Sequence, residues 1–400
     1  MSGKTQWDAV IVGGGPAGSA MAIRLARLGH SVLLVDRDEF PRPKPCGECL
    51  SPAAVGELRA LGILSSVQAL PHERLIGWRI SAPSGHAFDG SFPAPHHGIA
   101  IQRSVLDALL LDEAKTAGAE VRCGERVGDL LWSHGAVAGV RLGAGRAAEE
   151  INARLVIGAD GLRSVVVRRL GHLRRAPRLK KLALTAHMSG PVDPRERGEL
   201  HILANGCIGA AGVGEGLTNV TVVVNAESVG SAIAGARDAY FDVLVARHER
   251  FGGWRREDEV LATGPFDWPV HSAVSDGAML VGDAAGYFDP FTGQGVYRAL
   301  KGAALAAEHA HRALEQGSTS ADSLAGYDRA HRSAFNPGAR LQRAIEAVIS
   351  REVLIEIASR GLGFAPGLAD ALVAVTADLR PVRSLLDPRL LGRLKSDGRH

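Results

Sequence analysis

Between the apolar run Asp8–Val12 and a helical pattern with Met21, Leu25 and Leu28 on one face, the chain places Gly13-Gly14-Gly15-Pro16-Ala17-Gly18. Glycines at G-x-G-x-x-G spacing, in a turn from strand to helix, leave few alternatives. Gly13 permits the tight turn, Gly15 lets the backbone approach a pyrophosphate, and Gly18 lets the helix pack closely. Pro16 and Ala17 complete the turn. The helix N-terminus then offers free N–H groups and a partial positive charge to phosphate oxygens. Gly29 ends the helix, and a second strand, Val32–Val35, stops at Asp36 with Arg37 beside it. A carboxylate at that strand end is placed to accept a hydrogen bond from an adenosine ribose hydroxyl and disfavours a 2′-phosphate. The unit predicts dinucleotide binding.

Beyond it, Ile76–Ile101 reads as short strands with Gly and Pro turns. Ser104–Gly118 reads as a helix with Ser104 as N-cap, and Leu155–Ile157 as a buried strand. Leu182–Val224 alternates like a half-buried antiparallel sheet. After Pro269 the opening style returns, with a strand at Ala278–Gly282, a glycine-rich turn and a helix through about Leu314. From Ser320 the pattern is helical, with breaks expected at Pro337, Pro366 and Pro381. The expectation is an α/β fold in which residues 1–75, 99–180 and 265–318 form a discontinuous dinucleotide domain. Residues 76–98 and 181–264 form an inserted antiparallel sheet domain, and 319–400 a helical C-terminal region.

Composition narrows the function classes. With 400 residues and a net charge of +3, the chain lacks the concentrated basic excess of a nucleic-acid binder. Its most basic run, Arg174, Arg175, Arg178, Lys180 and Lys181, reads as a solvated loop or a docking patch for an anionic group. The 4 cysteines are too few for a disulfide framework, no leader pattern opens the chain, and no apolar run reaches the roughly 18 residues of a membrane span. A cytoplasmic protein with no transmembrane segment is expected, with peripheral lipid contact left open. No metal site is expected: His309 and His311 are two apart on a helix, and His96 and His97 sit in a Pro-rich loop. No Gly-x-Ser-x-Gly elbow supports hydrolase chemistry.

Four further stretches decide the cofactor. They are Ile101-Gln102-Arg103 with Leu106-Asp107; Gly158-Ala159-Asp160-Gly161 with Arg163 and Ser164; Gly282-Asp283-Ala284-Ala285-Gly286 continuing through Asp289-Pro290-Phe291-Thr292-Gly293-Gln294-Gly295; and Pro43-Lys44-Pro45-Cys46-Gly47-Glu48 with Leu50-Ser51-Pro52. Together they resemble the flavoprotein family of aromatic hydroxylases, geranylgeranyl reductases and flavin-dependent halogenases, over nearly the whole chain. The resemblance implies a Rossmann-like, glutathione-reductase-type FAD domain with FAD as cofactor. It puts Arg103 at the FAD phosphate or ribose, Asp160 at the FAD and nicotinamide, and Gly282 and Asp283 at the ribityl chain. Gly293 and Gly295 lead into a helix N-terminus that can stabilise negative charge on the reduced pyrimidine ring. It also puts Lys44 and Cys46 near the isoalloxazine, Lys44 as a charge and Cys46 as a soft contact; a solvated loop lysine is the alternative for Lys44. Cys46 and Cys49 form a C-x-x-C that reads either as a redox dithiol or, for Cys49, as a small buried hydrophobe.

The chain also departs from this family. It has neither the Trp-x-Trp-x-Ile-Pro stretch of the halogenases nor the Tyr-x-Trp-x-Phe-Pro stretch of the prenyl reductases. Its corresponding region, Gly206–Gly216 ahead of Asn219, resembles hydroxylase-like members. The leading expectation is therefore an FAD-dependent monooxygenase that passes one oxygen atom from a flavin C4a-hydroperoxide to a small aromatic or apolar substrate, free or tethered to a carrier or protein. The alternative is a reductase of prenyl or quinone-tail double bonds, with a halogenase and a non-catalytic FAD-binding protein behind it. Trp78 and Leu182–Val224 are expected to roof the pocket, and no side chain stands out as a general base. No second G-x-G-x-x-G unit is present, so electrons are expected from transiently bound NAD(P)H or from reduced flavin supplied by a partner reductase.

Overall fold

The computed structural model describes residues 6–145, 148–191, 196–229, 236–289, 291 and 293–387. The first sheet runs, edge to edge, Val274–Ser275, Ala278–Leu280, Glu149–Gly158, Trp7–Val12, Val32–Val35 and Glu120–Arg122. Its central strands are parallel: Ala9 pairs with Leu155 on one side and Val32 on the other. Strands covered on both faces must be apolar throughout, which is why Ala9–Ile11 and Val32–Leu34 are wholly buried. The helices Pro16–Arg27 and Gly295–Glu315 pack on this sheet and on each other. Because the strand Ala278–Leu280 comes from far along the chain, the nucleotide domain closes only after the second sheet has been built.

That second sheet runs Arg255–Arg256, Lys181–Ser189, Leu217–Asn225, Gly206–Gly214, Arg197–Leu203, Gly77–Ser81 and Ala87–Ser91. One face, with Leu184, Ala186, Val220 and Val222, packs on Phe241 and Val245 of the helix Arg237–Ala246. The expected purely antiparallel sheet needs one correction, since Arg197–Leu203 lies parallel to Gly77–Ser81. Parallel neighbours need a long crossover. The intervening piece of nucleotide domain supplies it, joining two insertions that meet edge to edge. Trp78 lies across Gly198, where its ring occupies the space a Cβ would need.

Two local expectations fail for tertiary reasons. The helix Ala321–Ile349 runs through Pro337, and a break falls instead at Ser350–Arg351; the break expected at Pro366 is present, between the helix ending at Gly363 and the helix Pro366–Thr376 that this proline opens. An interior proline costs about 3 kcal/mol. Here Tyr327, His331 and Phe335 are buried before it and Gln342 and Glu346 after it, so packing on both sides outweighs the lost bond. Nor is Ser104 an N-cap. The helix begins at Arg103, and its first N–H donates to Glu48 Oε1 at 2.7 Å, a cap brought from 55 residues away. The basic run at 174–181 is partly spent on ion pairs, Arg175 with Asp267 at 2.6 Å and Lys181 with Glu346 at 2.5 Å.

Candidate flavin site and adjoining recess

Gly13 takes φ +107, in the region that favours glycine. A Cβ at Gly18 would collide with the Gly13 carbonyl oxygen, and one at Gly13 with the Ala159 carbonyl, so helix, turn and Asp160 strand meet in backbone contact. Above Gly15 the space is open, and the nearest heavy atom to a Cβ there is Arg42 Nη2 at 3.9 Å. Asp36 accepts hydrogen bonds from Gly14 N at 2.6 Å and Asp38 N at 2.9 Å, pinning the loop as well as facing it.

Arg42 was not singled out from the sequence. Its guanidinium lies 3.9 Å from Asp36, 3.6 Å from Asp107 and 4.6 Å from the Phe40 ring. Its Nε and Nη1 are buried without a hydrogen-bond partner among the described residues. Orphaned donors of this kind are costly unless something accepts from them. Arg37, by contrast, is 63% exposed and pairs with Asp38 at 3.5 Å on the rim. Arg103 reaches Asp107 with Nε and Nη2, each at 2.8 Å. Asp160 accepts from Val165 N at 2.6 Å through Oδ2, while its Oδ1 is buried without a partner and burial pushes its pKa up.

Gly282, at φ +61, packs against Ala17 so closely that a Cβ would crowd it. That contact puts Asp283 beside the glycine turn. Burial raises the Asp283 pKa, against the opposing pull of Lys44, Arg298 and Arg103. Burial, together with Arg103 and Arg42, lowers that of Lys44, against the pull of Asp283 and Asp107. The cleft thus gathers Lys44, Arg42, Arg103 and Asp283. Gly293, at φ +67, leads into the helix Gly295–Glu315, whose first residue follows Gln294 with no side-chain cap on its N–H groups. Pro290 and Thr292 of this stretch lie outside the described residues. The unpartnered Arg42 donors and the loop N–H groups would suit a pyrophosphate, and Asp283 would accept from a polyol chain; the residues present fit FAD.

Glu48, quoted in the sequence only as part of a motif, is the hub of this cleft. A non-glycine residue at φ +57, it is almost fully buried. Its carboxylate accepts from Arg103 N at 2.7 Å, Asn219 Nδ2 at 3.1 Å and His187 Nε2 at 2.8 Å. Asn219 also donates to the Cys46 carbonyl at 2.9 Å, and His187 Nδ1 bonds Asp258 Oδ2 at 2.6 Å. Burial alone would lower the His187 pKa, but its hydrogen bonds to Asp258 and Glu48 push it up to about 10. A protonated imidazole therefore ties the Lys44–Cys46 loop to the second sheet. Burial raises the Cys49 thiol, which donates to the Gly47 carbonyl at 3.1 Å, while Cys46 faces the Arg103 guanidinium, so the two cysteines of the C-x-x-C sit in unlike surroundings.

Beside this loop lies a small, partly open recess walled by Cys49, Leu50, Ser51, Leu75, Trp78, Phe92, Gly293, Thr376 and Ala377. Ala211 and Val213, from the Gly206–Gly214 strand, pack into the apolar cluster with Leu75 and Phe92. Trp78 lies on this wall, but no residue of the expected roof Leu182–Val224 lines it; C-terminal residues that no motif marked do. Next to Ala377, Asp378 accepts from Gln294 Nε2 at 2.8 Å, and burial pushes its pKa up to about 7 despite that bond and Arg298. Away from the cleft, His30, His311 and Glu315 have ligand atoms within 4.8 Å of one another, but the two rings already hydrogen-bond each other at 2.8 Å.

Residues 6–205 match the FAD binding domain family, and the chain belongs to it as an FAD-dependent oxidoreductase. It is 30% identical over 349 residues to digeranylgeranylglycerophospholipid reductase 2 of Methanothermobacter thermautotrophicus, covering 85% of this chain and 86% of that one. It is 32% identical to menaquinone reductase of Mycolicibacterium smegmatis, over 76% of each. Among solved structures, a flavin-dependent brominase superposes with a TM-score of 0.80 at 22% identity, over 93% of this chain and 94% of that one. A geranylgeranyl bacteriochlorophyll reductase-like protein from Thermoplasma acidophilum superposes at 0.79 and 23% identity, over 99% of this chain and 100% of that one. A brominase and a reductase-like protein fit almost equally well, so the fold alone does not name the reaction. Among the described residues, no helix is long and apolar enough to cross a membrane.

Proposed function

We propose that the chain saturates carbon–carbon double bonds of an isoprenoid chain carried by a lipid or quinone, in preference to the hydroxylation expected first. The observation that carries this reading is the 30% identity, over most of both chains, to an enzyme named as a reductase of a geranylgeranylated phospholipid. Leu50, Leu75, Trp78 and Phe92 offer such a chain an apolar stretch of wall in the recess beside the Lys44–Cys46 loop.

Bound and reduced, FAD supplies the two electrons for the double bond. The residues that would hold it are Gly13–Gly18 and Arg42 at the pyrophosphate, Asp36 at the adenosine ribose with Arg37 on the rim, and Arg103 and Asp160 along the middle. Asp283 would meet the ribityl chain, and Gly293 and Gly295 the pyrimidine edge. Lys44 and Cys46, on a loop fixed through Glu48, bound the ring side of the cleft. Trp78, Phe92, Leu75 and Leu50 orient the alkene and exclude water. Saturation needs one proton besides the hydride that reduced FAD would supply, and Asp378, whose carboxyl keeps its proton to near neutrality and which follows Ala377 of the recess wall, is the group we assign to give it. NAD(P)H or a partner reductase supplies the electrons in turn.

The test uses flavin-loaded protein reduced with dithionite under anaerobic conditions and offered a geranylgeranyl lipid. The expected product gains two hydrogens for each bond reduced, read by mass spectrometry. Oxygen incorporation under air, with the double bonds left intact, would restore the monooxygenase.

A further inference from the structure

The helix Glu352–Gly363 has two unlike sides. Its inner side meets the hairpin of the second sheet. Glu356 accepts from the N–H and hydroxyl of Ser84 at 2.8 and 2.5 Å, Ser359 donates to the His86 carbonyl, and Ile355 is buried with Ala82 and Ile202. Its outer side is apolar and open: Val353, Ile357 and Phe364 are 69%, 64% and 85% exposed, with Leu354 beside them. Positions 353, 357, 360 and 364 stack on one face of a helix, so Arg360 stands within the same stripe. Large apolar side chains gathered this way mark a surface that meets something apolar.

Three acids of this helical pair and its exit are engaged by the hairpin and the cleft: Glu356 by Ser84, the exposed Asp370 by Ser91 N at 2.6 Å and Asp378 by Gln294. Arg351, Arg360, Arg380 and Arg383 are exposed, and the exposed acids beside them are Glu352 in the first turn and Asp387 past the second helix. Arginines with long apolar stems interleaved with Val, Ile and Phe suit a plane where hydrocarbon gives way to phosphate.

We propose that this face docks on the surface of an anionic lipid bilayer, with Val353, Ile357 and Phe364 entering the acyl boundary and Arg351 and Arg360 at the phosphate level. The partner helix Pro366–Thr376 ends on the wall of the recess through Thr376 and Ala377, so docking would bring the recess to the membrane where its substrate resides. That purpose, though not the docking itself, rests on the isoprenoid reading above.

The experiment is flotation of the full, flavin-containing chain with vesicles of phosphatidylcholine alone and of phosphatidylcholine mixed with phosphatidylglycerol. The Ile357→Glu/Phe364→Glu double variant is run beside it, its bound flavin and far-ultraviolet circular dichroism reporting an intact fold. The expected result is salt-sensitive flotation with the anionic vesicles, weakened about tenfold or more in the double variant. No flotation of the parent chain, or equal flotation of the variant, overturns the proposal. So does a dimer that the double substitution dissociates while vesicle binding persists, because the face is then a contact between copies. Loss of flotation on deleting residues 388–400, with Ile357 and Phe364 in place, also overturns it. Flotation without alkene saturation leaves docking standing and removes the reductase; saturation of a detergent-dispersed substrate without flotation does the reverse.

Discussion

The two ends of the cleft are built on different terms. At the adenosine end the parts are neighbours in sequence: the glycine turn, its helix and Asp36 lie within 24 residues, and backbone contacts hold them. At the recess end Glu48, His187, Asn219, Asp258 and Asp378 come from five separate stretches and are held by side chains, one link spanning 139 residues. The first end is rigid because a Cβ has no room there. The second is rigid only as long as a set of charges stays matched.

The sharpest test of that contrast is Gly18→Ala. The added methyl meets a backbone carbonyl that cannot move without displacing the strand, so a loss of about 3 kcal/mol or more in urea denaturation is expected, together with loss of bound flavin from the purified protein. At the opposite end, Glu48→Ala should cost about 3 kcal/mol, because it strands His187, Asn219 and the first N–H of the Arg103 helix together. If Glu48→Ala unfolds no more easily than wild type, the recess end is not held by charge and the comparison fails.

Arg42→Ala should weaken FAD binding by about 2 kcal/mol, measured by fluorescence titration of the apoprotein, since it removes the guanidinium whose Nη2 stands nearest Gly15 and whose Nε and Nη1 have no hydrogen-bond partner among the described residues. Arg37→Ala, on the rim, should change it by no more than about 0.5 kcal/mol. Equal effects would show that exposure does not rank the two.

His187→Gln should cost about 2 kcal/mol near neutrality, discounted because Asp258 is nearly half exposed. The sign follows from a folded pKa of about 10 against an ordinary 6.5. The stabilisation is complete below pH 6.5 and is lost as pH rises toward 10. Denaturation midpoints of wild type should therefore fall over that window, and those of the variant should fall less.

A further effect, on rate and pH dependence, is expected at Asp378. Asp378→Asn should slow turnover about tenfold and abolish the decline in rate that wild type shows as pH rises past about 7. Because burial raises this carboxyl above the usual 3.8, wild type also gains a little stability as pH falls from 7 toward 4, and the variant should not.

What was legible in the sequence was whatever depends on near neighbours. The strand–turn–helix at Trp7–Arg27, the strand end at Asp36 and the return strand Ala278–Leu280 follow from apolar runs and glycine spacing, because a phosphate-binding turn is set by a few consecutive dihedrals. Ser104 and Pro337 were misread for the complementary reason. A local cap signal cannot see Glu48 arriving from a distant loop, and a local breaker cannot see the burial of Phe335 and Gln342 on either side of it. Arg42 carried no signal at all, being one arginine in a proline-rich stretch until folding sets it over Gly15.

By itself, then, the sequence determined the glycine turn between strand and helix and the class of fold, since both rest on backbone geometry that consecutive residues dictate. Only the tertiary structure decided which groups face the reacting end. Matching a carboxylate to an imidazole, or closing a recess with a helix from the far end of the chain, depends on distances that no local pattern contains.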